Sequence, residues 1–574
     1  MKITKIIALT LLISMVIVMA CQESFLDVAP TGSLQEEQLT SPAGLEVSLI
    51  AAYSMLLGRS GFYSDASNWF WGSILGGEAN KGSNAGDQSQ MNEVQAFDPQ
   101  TNNISVLQKY TSTYEGIARS NVTIRLVANA QPVVTEEVKT RIEAEARFLR
   151  GHYYFDLKKN FDNVPYVDES WDEVTPVSNN VDIWPFIEAD FQAAFDNLPE
   201  EQVDIGRANK WAAAAYLGKA YLFQGKFPEA KAIFDQVIED GVNSDGEKYD
   251  LVENYANVFR STNDNNAETV FASQAAAGTG SVQNANPGMV LNFPHGTAGP
   301  ARPGGCCGFF QPSFDLANSF RTDANGLPLL DNSYNDPANA LVTDMGLQSS
   351  DPFSPDTGNL DPRIDHSIGR RGIPYLDWGP HPGFDWIRDQ PYGGPYSPKK
   401  FSYYLEGSGS ENDASDWTPG YTAVNYNIIR FADVLLMAAE AEIEAGTLDK
   451  ALEYVNRIRA RADSSRLMLD DDEGEAANYV IGAYTTFASE EEARTAVRFE
   501  RKLELSGEGH RFYDLVRWGI AGEVLNAYLD HEDQLLNSPF AGASFTASKN
   551  EFLPIPQDEI DLQGQNILIQ NQGF

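Results

Sequence analysis

The stretch that decides the fold is RFERKLELSGEGHRFYDLVRWG, residues 498–519. Ser489 and Glu492 form a capping box just before it, so we expect a helix to begin there and to end at Gly507 and Gly509. A second helix follows, and charges of both signs alternate through the two helices at helical spacing. This pattern predicts an ion-pair network between the helices rather than a catalytic acid, base and cation. The positions expected to face the core on the first helix are Ala493, Ala496, Val497, Phe499 and Leu503.

Two further segments carry the spacing of the tetratricopeptide repeat, in which small residues let paired helices approach closely. Helical periodicity also covers residues 107–130 and 136–159. The predicted fold class is therefore mostly α, a tetratricopeptide-like scaffold of about four helix pairs that supports a large, irregular, loop-rich ligand-binding region. The matching positions are Leu217, Gly218, Tyr221, Gly225, Phe227, Ala230 and Phe234 in residues 210–241, and Ala438, Ala439, Gly446, Leu448, Ala451 and Val455 in residues 427–462.

The charge balance excludes one class of partner. The chain has 81 Asp and Glu residues against 41 Lys and Arg, a formal net charge of −40. We therefore expect no nucleic-acid binding, because neutralising phosphates requires clustered Lys and Arg. We expect no cofactor and no metal site: the acidic run at 470–473 lacks the alternating ligand spacing of a calcium loop, residues 323–326 are only a fragment of such a loop, and no phosphate-binding loop or HExxH motif occurs.

The N-terminus carries an export signal. Lys2 and Lys5 precede an apolar run over residues 6–19, which is shorter than the roughly 20 residues that a membrane-spanning helix needs. Small residues before Cys21 are typical of a lipoprotein cleavage site, so we predict a signal peptide over residues 1–20 and a lipid anchor on Cys21. An acyl chain of this kind holds a protein body at a membrane surface.

Two irregular regions contain the candidate ligand-binding residues. Aromatic faces stack on sugar rings, and planar polar groups bind sugar hydroxyls, so loops that combine them suit a glycan site. The alternative for the first region is that one tryptophan fills the core under the loop, and for the second region that many of the aromatics form a small core that holds a long loop to the helices. In the first region we expect the aromatic side chains to be exposed and residues 76–90 to lack regular structure. The candidates are Asp65, Asn68, Trp69, Trp71, Glu78, Asn80 and Lys81 in the first region, and Arg370, Arg371, Tyr375, Trp378, Tyr392, Tyr396 and Tyr403 in the second.

Cys306 and Cys307 are adjacent thiols in a chain that is predicted to be exported into an oxidising environment. Their Cα atoms would lie about 3.8 Å apart across a trans peptide, below the roughly 4.4 Å that disulfides usually need. The flanking glycines supply the backbone freedom for such a ring. We hypothesise a vicinal disulfide at the binding face that contacts a sugar, with buried free thiols as the alternative.

Several of these stretches resemble the SusD/RagB family of surface lipoproteins. The resemblance covers residues 498–519, the sequence QESFLD after Cys21, AEARFLRGHYYFDLKKNFDNVP at 144–165, and the C-terminal FLPIPQDEIDLQGQNILIQNQGF. It implies a SusD-like fold and non-covalent binding of an oligosaccharide at the cell surface. It also implies a SusC-like TonB-dependent transporter as partner and a location at the outer membrane.

Two other functions stay open. One is a surface glycosidase, although Glu440 and Glu444, which share a helix face, are interpreted as an edge that is solvated or paired with Arg. The other is a protein-interaction scaffold without a small ligand. The cargo is also open, and the net charge mildly disfavours polyanionic glycans.

The predicted organisation is a signal peptide at 1–20 and one SusD-like domain at 21–574. Within that domain we expect scaffold at 41–57, 107–241 and 427–525, binding loops at 58–106 and 250–426, and a closing segment at 526–574.

Overall fold

The computed structural model describes residues 36–59, 61–172, 174–296, 299–469, 474–537 and 539–574. The predicted signal peptide, the lipid anchor on Cys21 and the acidic run at 470–473 lie outside these residues. Within the described residues, no helix combines the length and the apolar character needed to cross a membrane.

Helices dominate the described chain, which confirms the mostly α fold class. The N-terminal half contains α1 Glu36–Leu39, α2 Pro42–Tyr53, α3 Gln90–Gln95, α4 Ile104–Ala128, α5 Glu136–Phe161, α6 Trp184–Asn197, α7 Lys210–Phe223 and α8 Phe227–Asp240. The C-terminal half contains α9 Phe314–Ser319, α10 Ile364–Ser367, α11 Gln390–Gly393, α12 Phe431–Ala445, α13 Leu448–Ser464, α14 Glu490–Glu504, α15 Arg511–Arg517, α16 Ala521–Asp533 and α17 Gln557–Gln563.

Eight of these helices form the scaffold. α4, α5, α6, α7 and α8 pack in series, α12 packs on α8, and α13 and α14 pack on α12. The two predicted tetratricopeptide units are the pairs α7/α8 and α12/α13. Gly218 shows why the small residue is needed in the first pair, since a Cβ atom there would lie 2.6 Å from Cε1 of Phe234. The predicted helix pairs are therefore confirmed.

The predicted N-cap before the signature stretch is confirmed at Ser489, whereas the Glu492 carboxylate binds the residue before the N-cap rather than the N-cap itself. The Ser489 hydroxyl accepts a hydrogen bond from Glu492 N at 3.2 Å, and Glu492 Oε2 accepts one from Ala488 N at 2.8 Å. α14 ends in the turn that contains Gly507 and Gly509, whose φ angles of 74° and 73° favour glycine. The chain then enters α15, as the sequence predicts.

Ion pairs join the signature stretch to the scaffold. Arg501 binds Asp514 at 2.9 Å and Asp433 at 2.8 Å, which connects α14 with α15 and α12. The Glu440 carboxylate pairs with Arg517 at 2.5 Å, and Glu444 pairs with Arg494. These carboxylates hold helices together, so the predicted ion-pair network is confirmed and the Arg-paired interpretation of Glu440 and Glu444 is correct.

Short strands connect the loops. They are β1 Ala79–Gly82, β2 Thr269–Ser273, β3 Phe309–Pro312, β4 Ile368–Gly369, β5 Ser397–Pro398, β6 Asn412–Asp413, β7 Tyr421–Thr422 and β8 Tyr426–Arg430. All four pairings are antiparallel: β1 with β3, β2 with β8, β4 with β5, and β6 with β7. The expectation of no regular structure at 76–90 is wrong at β1, because β3, more than 200 residues later, supplies its hydrogen-bond partners.

Candidate functional site

The tryptophans of the first loop region are buried, so the expectation that they are exposed is wrong. Trp69 and Trp71 lie in a turn of π-helix, Trp69–Ile74, and both are 0% exposed. Their indole N–H groups donate to the carbonyls of Phe62 and Tyr63 at 3.1 and 2.7 Å. Burying such rings removes a large apolar area from water, and here they form the core beneath the loop. In this conformation neither ring offers a face to a sugar.

Two polar candidates of the same loop are engaged in internal hydrogen bonds. Asn68 Nδ2 donates to Asp156 Oδ1 at 2.9 Å. Lys81 Nζ donates to the carbonyls of Asn84 and Asp87 at 2.9 and 2.7 Å. Both side chains are buried, and the lysine fixes the turn that follows β1. Their placement indicates a structural role in shaping the loop.

The remaining polar candidates of the first loop are also buried. Asn80 accepts a hydrogen bond from the Tyr528 hydroxyl at 3.0 Å, and Glu78 Oε2 accepts one from Gly507 N at 3.2 Å. Burial raises the pKa of Asp65 to about 6 and that of Glu78 to about 7. These raised values result from desolvation in the core and identify no ligand-binding carboxylate at the surface.

Most candidates of the second loop region pack between that loop and the helices. The Arg370 guanidinium forms two hydrogen bonds with Asp365, at 2.6 and 2.8 Å. Trp378 is half-buried and donates its indole N–H to the Tyr403 carbonyl at 3.0 Å. The alternative interpretation, a small core under a long loop, is therefore the correct one for most of this set. The buried members are Arg370, Arg371, Tyr375, Tyr392, Tyr396 and Tyr403.

Cys306 and Cys307 are joined by a disulfide, as hypothesised. The peptide between them is cis rather than trans, and their Cα atoms lie 3.1 Å apart, so the trans spacing used for the expectation does not apply. Cys307 is 6% exposed, whereas Cys306 is half-buried. Hydrogen bonds fix the turn on both sides, since Gly304 N donates to the Tyr403 hydroxyl at 2.9 Å and Cys307 N donates to the Leu291 carbonyl at 3.1 Å.

An exposed tryptophan lies next to this disulfide turn. Trp417 is 51% exposed, at the tip of the hairpin between β6 and β7. Its indole N–H donates to the Tyr421 hydroxyl at 2.9 Å, and its ring meets the half-buried ring of Phe62 edge to face at 6.4 Å. The neighbouring Thr418 hydroxyl donates to the Gly304 carbonyl at 2.6 Å. Trp417 is thus held in place and keeps much of its surface open to solvent.

Polar and cationic groups flank the other side of the disulfide. A Cβ atom on Gly308 would lie 3.4 Å from the Cβ of His295 and 3.5 Å from that of Arg388. His295 Nδ1 lies 3.0 Å from the Gly305 carbonyl, so it donates that hydrogen bond and leaves Nε2 as an acceptor. Burial lowers the pKa of His295, and the charges of Arg388 and Arg302 lower it further. The imidazole is therefore neutral at pH 7.

We call this surface the disulfide face and define it by Phe62, His295, Arg302, Cys306, Arg388 and Trp417. It combines aromatic rings, a disulfide and planar polar groups, the elements that the sequence predicted for a glycan site, but on different residues. Of the predicted candidates, the structure brings Cys306 and Cys307 here, and the others lie mainly in the core. One signal could have identified Trp417, namely a tryptophan in the polar hairpin tip SDWTPG, where no apolar periodicity provides a core.

A separate apolar groove of about 770 Å³ lies on the helical scaffold. It runs between α4, the segments 165–172 and 174–177, and α17. Val174 and Leu562 on its rim are each 80% exposed. The groove contains none of the predicted ligand-binding residues, and its apolar lining suits a protein surface better than a sugar.

Comparisons with known proteins identify the family. A model described as the SusD family matches residues 267–574, and a second, described as "Starch-binding associating with outer membrane", matches residues 24–222. SusD-like protein P25 of Formosa agariphila is 26% identical over 538 residues, which cover 88% of each chain. The first match spans more than half of the sequence, so the chain belongs to the SusD family.

Solved structures show the same fold. A SusD superfamily protein from Bacteroides vulgatus superposes with a TM-score of 0.68 at 21% identity, over 93% of this chain and 99% of that one. Surface glycan-binding protein A from Bacteroides thetaiotaomicron, in complex with laminarihexaose, superposes with a TM-score of 0.63 at 19% identity, over 92% and 99%. These similarities confirm the SusD-like fold.

Proposed function

We propose that this protein is a lipid-anchored glycan-binding protein of the outer-membrane surface that delivers an oligosaccharide to a SusC-like TonB-dependent transporter. The single observation that carries the glycan-binding part is the disulfide face. There a half-exposed tryptophan, held by its own indole hydrogen bond, lies beside a disulfide and neutral or cationic hydrogen-bonding groups.

The geometry of this face suits a sugar ring. The Trp417 ring is large, rigid and held against Phe62 and Tyr421, so stacking a pyranose on it costs little conformational entropy. His295 Nε2 accepts hydrogen bonds, and Arg388 donates them at the rim. Apolar stacking combined with directional bonds to hydroxyls is the recognition that a flat, hydroxylated ligand requires.

The family relationship supports the same function. One matched family model is described as starch-binding, and the relative from Bacteroides thetaiotaomicron was solved with laminarihexaose. Because these relatives share the scaffold and differ in sequence from this chain, they support glycan binding as a class and leave the sugar open.

The anchor and the transporter contact rest on other features. The sequence before Cys21 is typical of a lipoprotein, and the second family model is described as associating with the outer membrane. We propose that the scaffold side, with its apolar groove around Val174 and Leu562, faces the transporter. The disulfide face would then remain available to the glycan. A protein that contacts both a transporter and a sugar needs two such separate surfaces.

We also propose binding without hydrolysis. A glycosidase needs two carboxyl groups held about 5 to 9.5 Å apart across the scissile bond. Asp87, the carboxylate next to Arg388, accepts hydrogen bonds from Arg388 at 2.5 Å and from Ser83 at 2.9 Å. It therefore already serves to position the arginine.

Calorimetric titration of the protein with a panel of neutral and acidic oligosaccharides, followed by product analysis of each mixture, tests this proposal. We expect saturable binding in the micromolar range with intact sugar recovered, since a delivery protein must also release its ligand. Cleaved sugar would favour the glycosidase. No heat of binding with any oligosaccharide of the panel, together with retained transporter binding, would favour the interaction scaffold.

A further inference from the structure

Arg302 has an unusual environment for a cation in a protein with a net charge of −40. Among the described residues, its guanidinium makes one hydrogen bond, from Nη2 to the Gly296 carbonyl at 2.5 Å. Its Nε–H group is buried and has no hydrogen-bond partner among those described residues. Burial lowers its pKa, and no neighbouring carboxylate among the described residues compensates for this effect. A guanidinium with spare donors in this setting is suited to an anion.

The groups beside Arg302 belong to the disulfide face. The Arg302 guanidinium binds the carbonyl of Gly296, the residue after His295, and His295 lies with Arg388 beside Gly308, so the three residues belong to one part of the surface. Arg388 extends from the other side of Gly308 and is exposed. The unpaired guanidinium thus lies next to the surface where we propose that sugar binds.

The carboxylates of the surrounding segments do not neutralise Arg302. Asp87 binds Arg388 and the Ser83 hydroxyl. Asp385 lies against the backbone of Gly299, where a Cβ atom would be 3.1 Å from Asp385 Oδ2. Neither of them lies within 4 Å of the Arg302 nitrogens, the distance that defines an ion pair. The position beside Arg302 is therefore one that a carboxylate from outside the chain can fill.

We propose that Arg302 binds the carboxylate or sulfate group of an acidic sugar, so that the ligand of the disulfide face is an anionic glycan. This inference rests on the proposed glycan-binding function and names its substrate class. A guanidinium fork matches the two oxygens of a carboxylate or sulfate, and such charge-assisted bonds are among the stronger hydrogen bonds in proteins. Trp417 would stack on the ring of the same or a neighbouring sugar.

The overall negative charge does not prevent this interaction. At 0.1 M ionic strength charges are screened beyond about 10 Å, so the distant carboxylates of the protein act weakly on a bound ligand. The contact with Arg302 is direct and partly desolvated, so salt screens it less. The net charge of the protein disfavours the approach of long polyanionic glycans, whereas Arg302 favours one acidic group on the bound ligand.

The test compares matched pairs of oligosaccharides by calorimetry at 0.1 M NaCl with the purified full-length protein. Each pair shares one backbone, for example laminarihexaose and the same hexasaccharide oxidised to carboxylates at C6, with gluco-, galacto- and manno-configured pairs in the panel. We expect the acidic member of at least one pair to bind at least about tenfold more tightly than its neutral counterpart. A difference of this size corresponds to one good charge-assisted hydrogen bond.

Three variants make the test specific. Arg302→Gln should bring the acidic and neutral members to within about threefold of each other, with the larger loss on the acidic member, and Arg302→Lys should keep part of the preference because it keeps the charge. Arg494→Gln, which removes a partly exposed arginine paired with Glu444, is the matched control and should keep the full preference.

The outcomes separate this inference from the function on which it rests. Neutral sugars that bind as well as or better than acidic ones would overturn the anionic class and leave glycan binding intact. An equal loss of affinity for the acidic and the neutral oligosaccharide in Arg302→Gln would also overturn the anionic class and leave glycan binding intact. No binding by any member of the panel would overturn the proposed function, and the inference with it.

Discussion

Arg430 Nη1 lies 2.6 Å from Glu504 Oε1, and the two side chains are 1% and 0% exposed. Arg430 is the last residue of β8, directly before α12, and Glu504 is the last residue of α14. The same guanidinium also binds Glu268 at 2.6 Å and Glu508 at 2.7 Å. This one buried arginine therefore connects the loop-rich half of the chain to the signature stretch.

Replacing Arg430 with Gln should lower the free energy of unfolding by about 3–5 kcal/mol, because it removes a fully buried cation from three carboxylates and leaves them to share Arg461, Arg363 and Lys400. Urea denaturation monitored by circular dichroism measures this change. Arg494→Gln removes a more exposed pair with Glu444 and should cost at most about 1 kcal/mol. Similar losses in both variants would contradict the central role of Arg430.

Glu78→Gln should stabilise the protein in a pH-dependent way. Burial raises the folded-state pKa of Glu78 from 4.5 to about 7, so the native state loses stability as pH rises from 4.5 through 7. Gln carries no charge, and at about 1.4 kcal/mol per pKa unit the gain at pH 8 should approach 3 kcal/mol. At pH 4 the variant and the parent should be equally stable. A gain of the same size at both pH values would rule out the ionisation of Glu78 as its cause.

Trp69→Ala should reduce stability by about 3–5 kcal/mol, because it empties a fully buried site under the first loop. Trp417→Ala should change stability by less than about 1 kcal/mol, since half of that side chain is already in water. Thermal unfolding of the two variants side by side provides the comparison. If Trp69→Ala were as stable as the parent, Trp69 would not be part of the core.

The disulfide between Cys306 and Cys307 predicts the mass of one peptide. Digested without reduction, the peptide that contains both residues should be lighter by two hydrogen atoms than the same peptide after reduction, and it should resist alkylation until a reductant is added. Denatured, unreduced protein that takes up alkylating reagent at both cysteines would show free thiols instead.

The helical framework could be predicted from the sequence because its signals are local. Ser489 and Glu492 lie within one turn of each other, and the Ser489 hydroxyl caps the Glu492 N–H as their spacing implies. Gly218 is small where Phe234 needs room, again at a spacing fixed by the repeat. In such cases a short segment contains both partners of the decisive contact.

The proposed binding surface could be predicted from the sequence only as a combination of residue types, and not residue by residue. Trp69 and Trp417 look alike in the sequence, each in a Gly- or Asp-rich loop, yet the first is fully buried and the second is half exposed. The difference arises from distant partners, since Trp69 packs against Phe310 and Trp417 against Phe62. No periodicity within a loop specifies contacts across hundreds of residues.

The most direct test of the central claim is a calorimetric titration of Trp417→Ala beside the parent protein, with the tightest ligand from the oligosaccharide panel. If the disulfide face binds the glycan, the variant should remain folded and bind about tenfold or more weakly, a loss of about 1.4 kcal/mol or more from one stacking contact. An unchanged dissociation constant in a folded Trp417→Ala variant would contradict the account and place the glycan elsewhere on the protein.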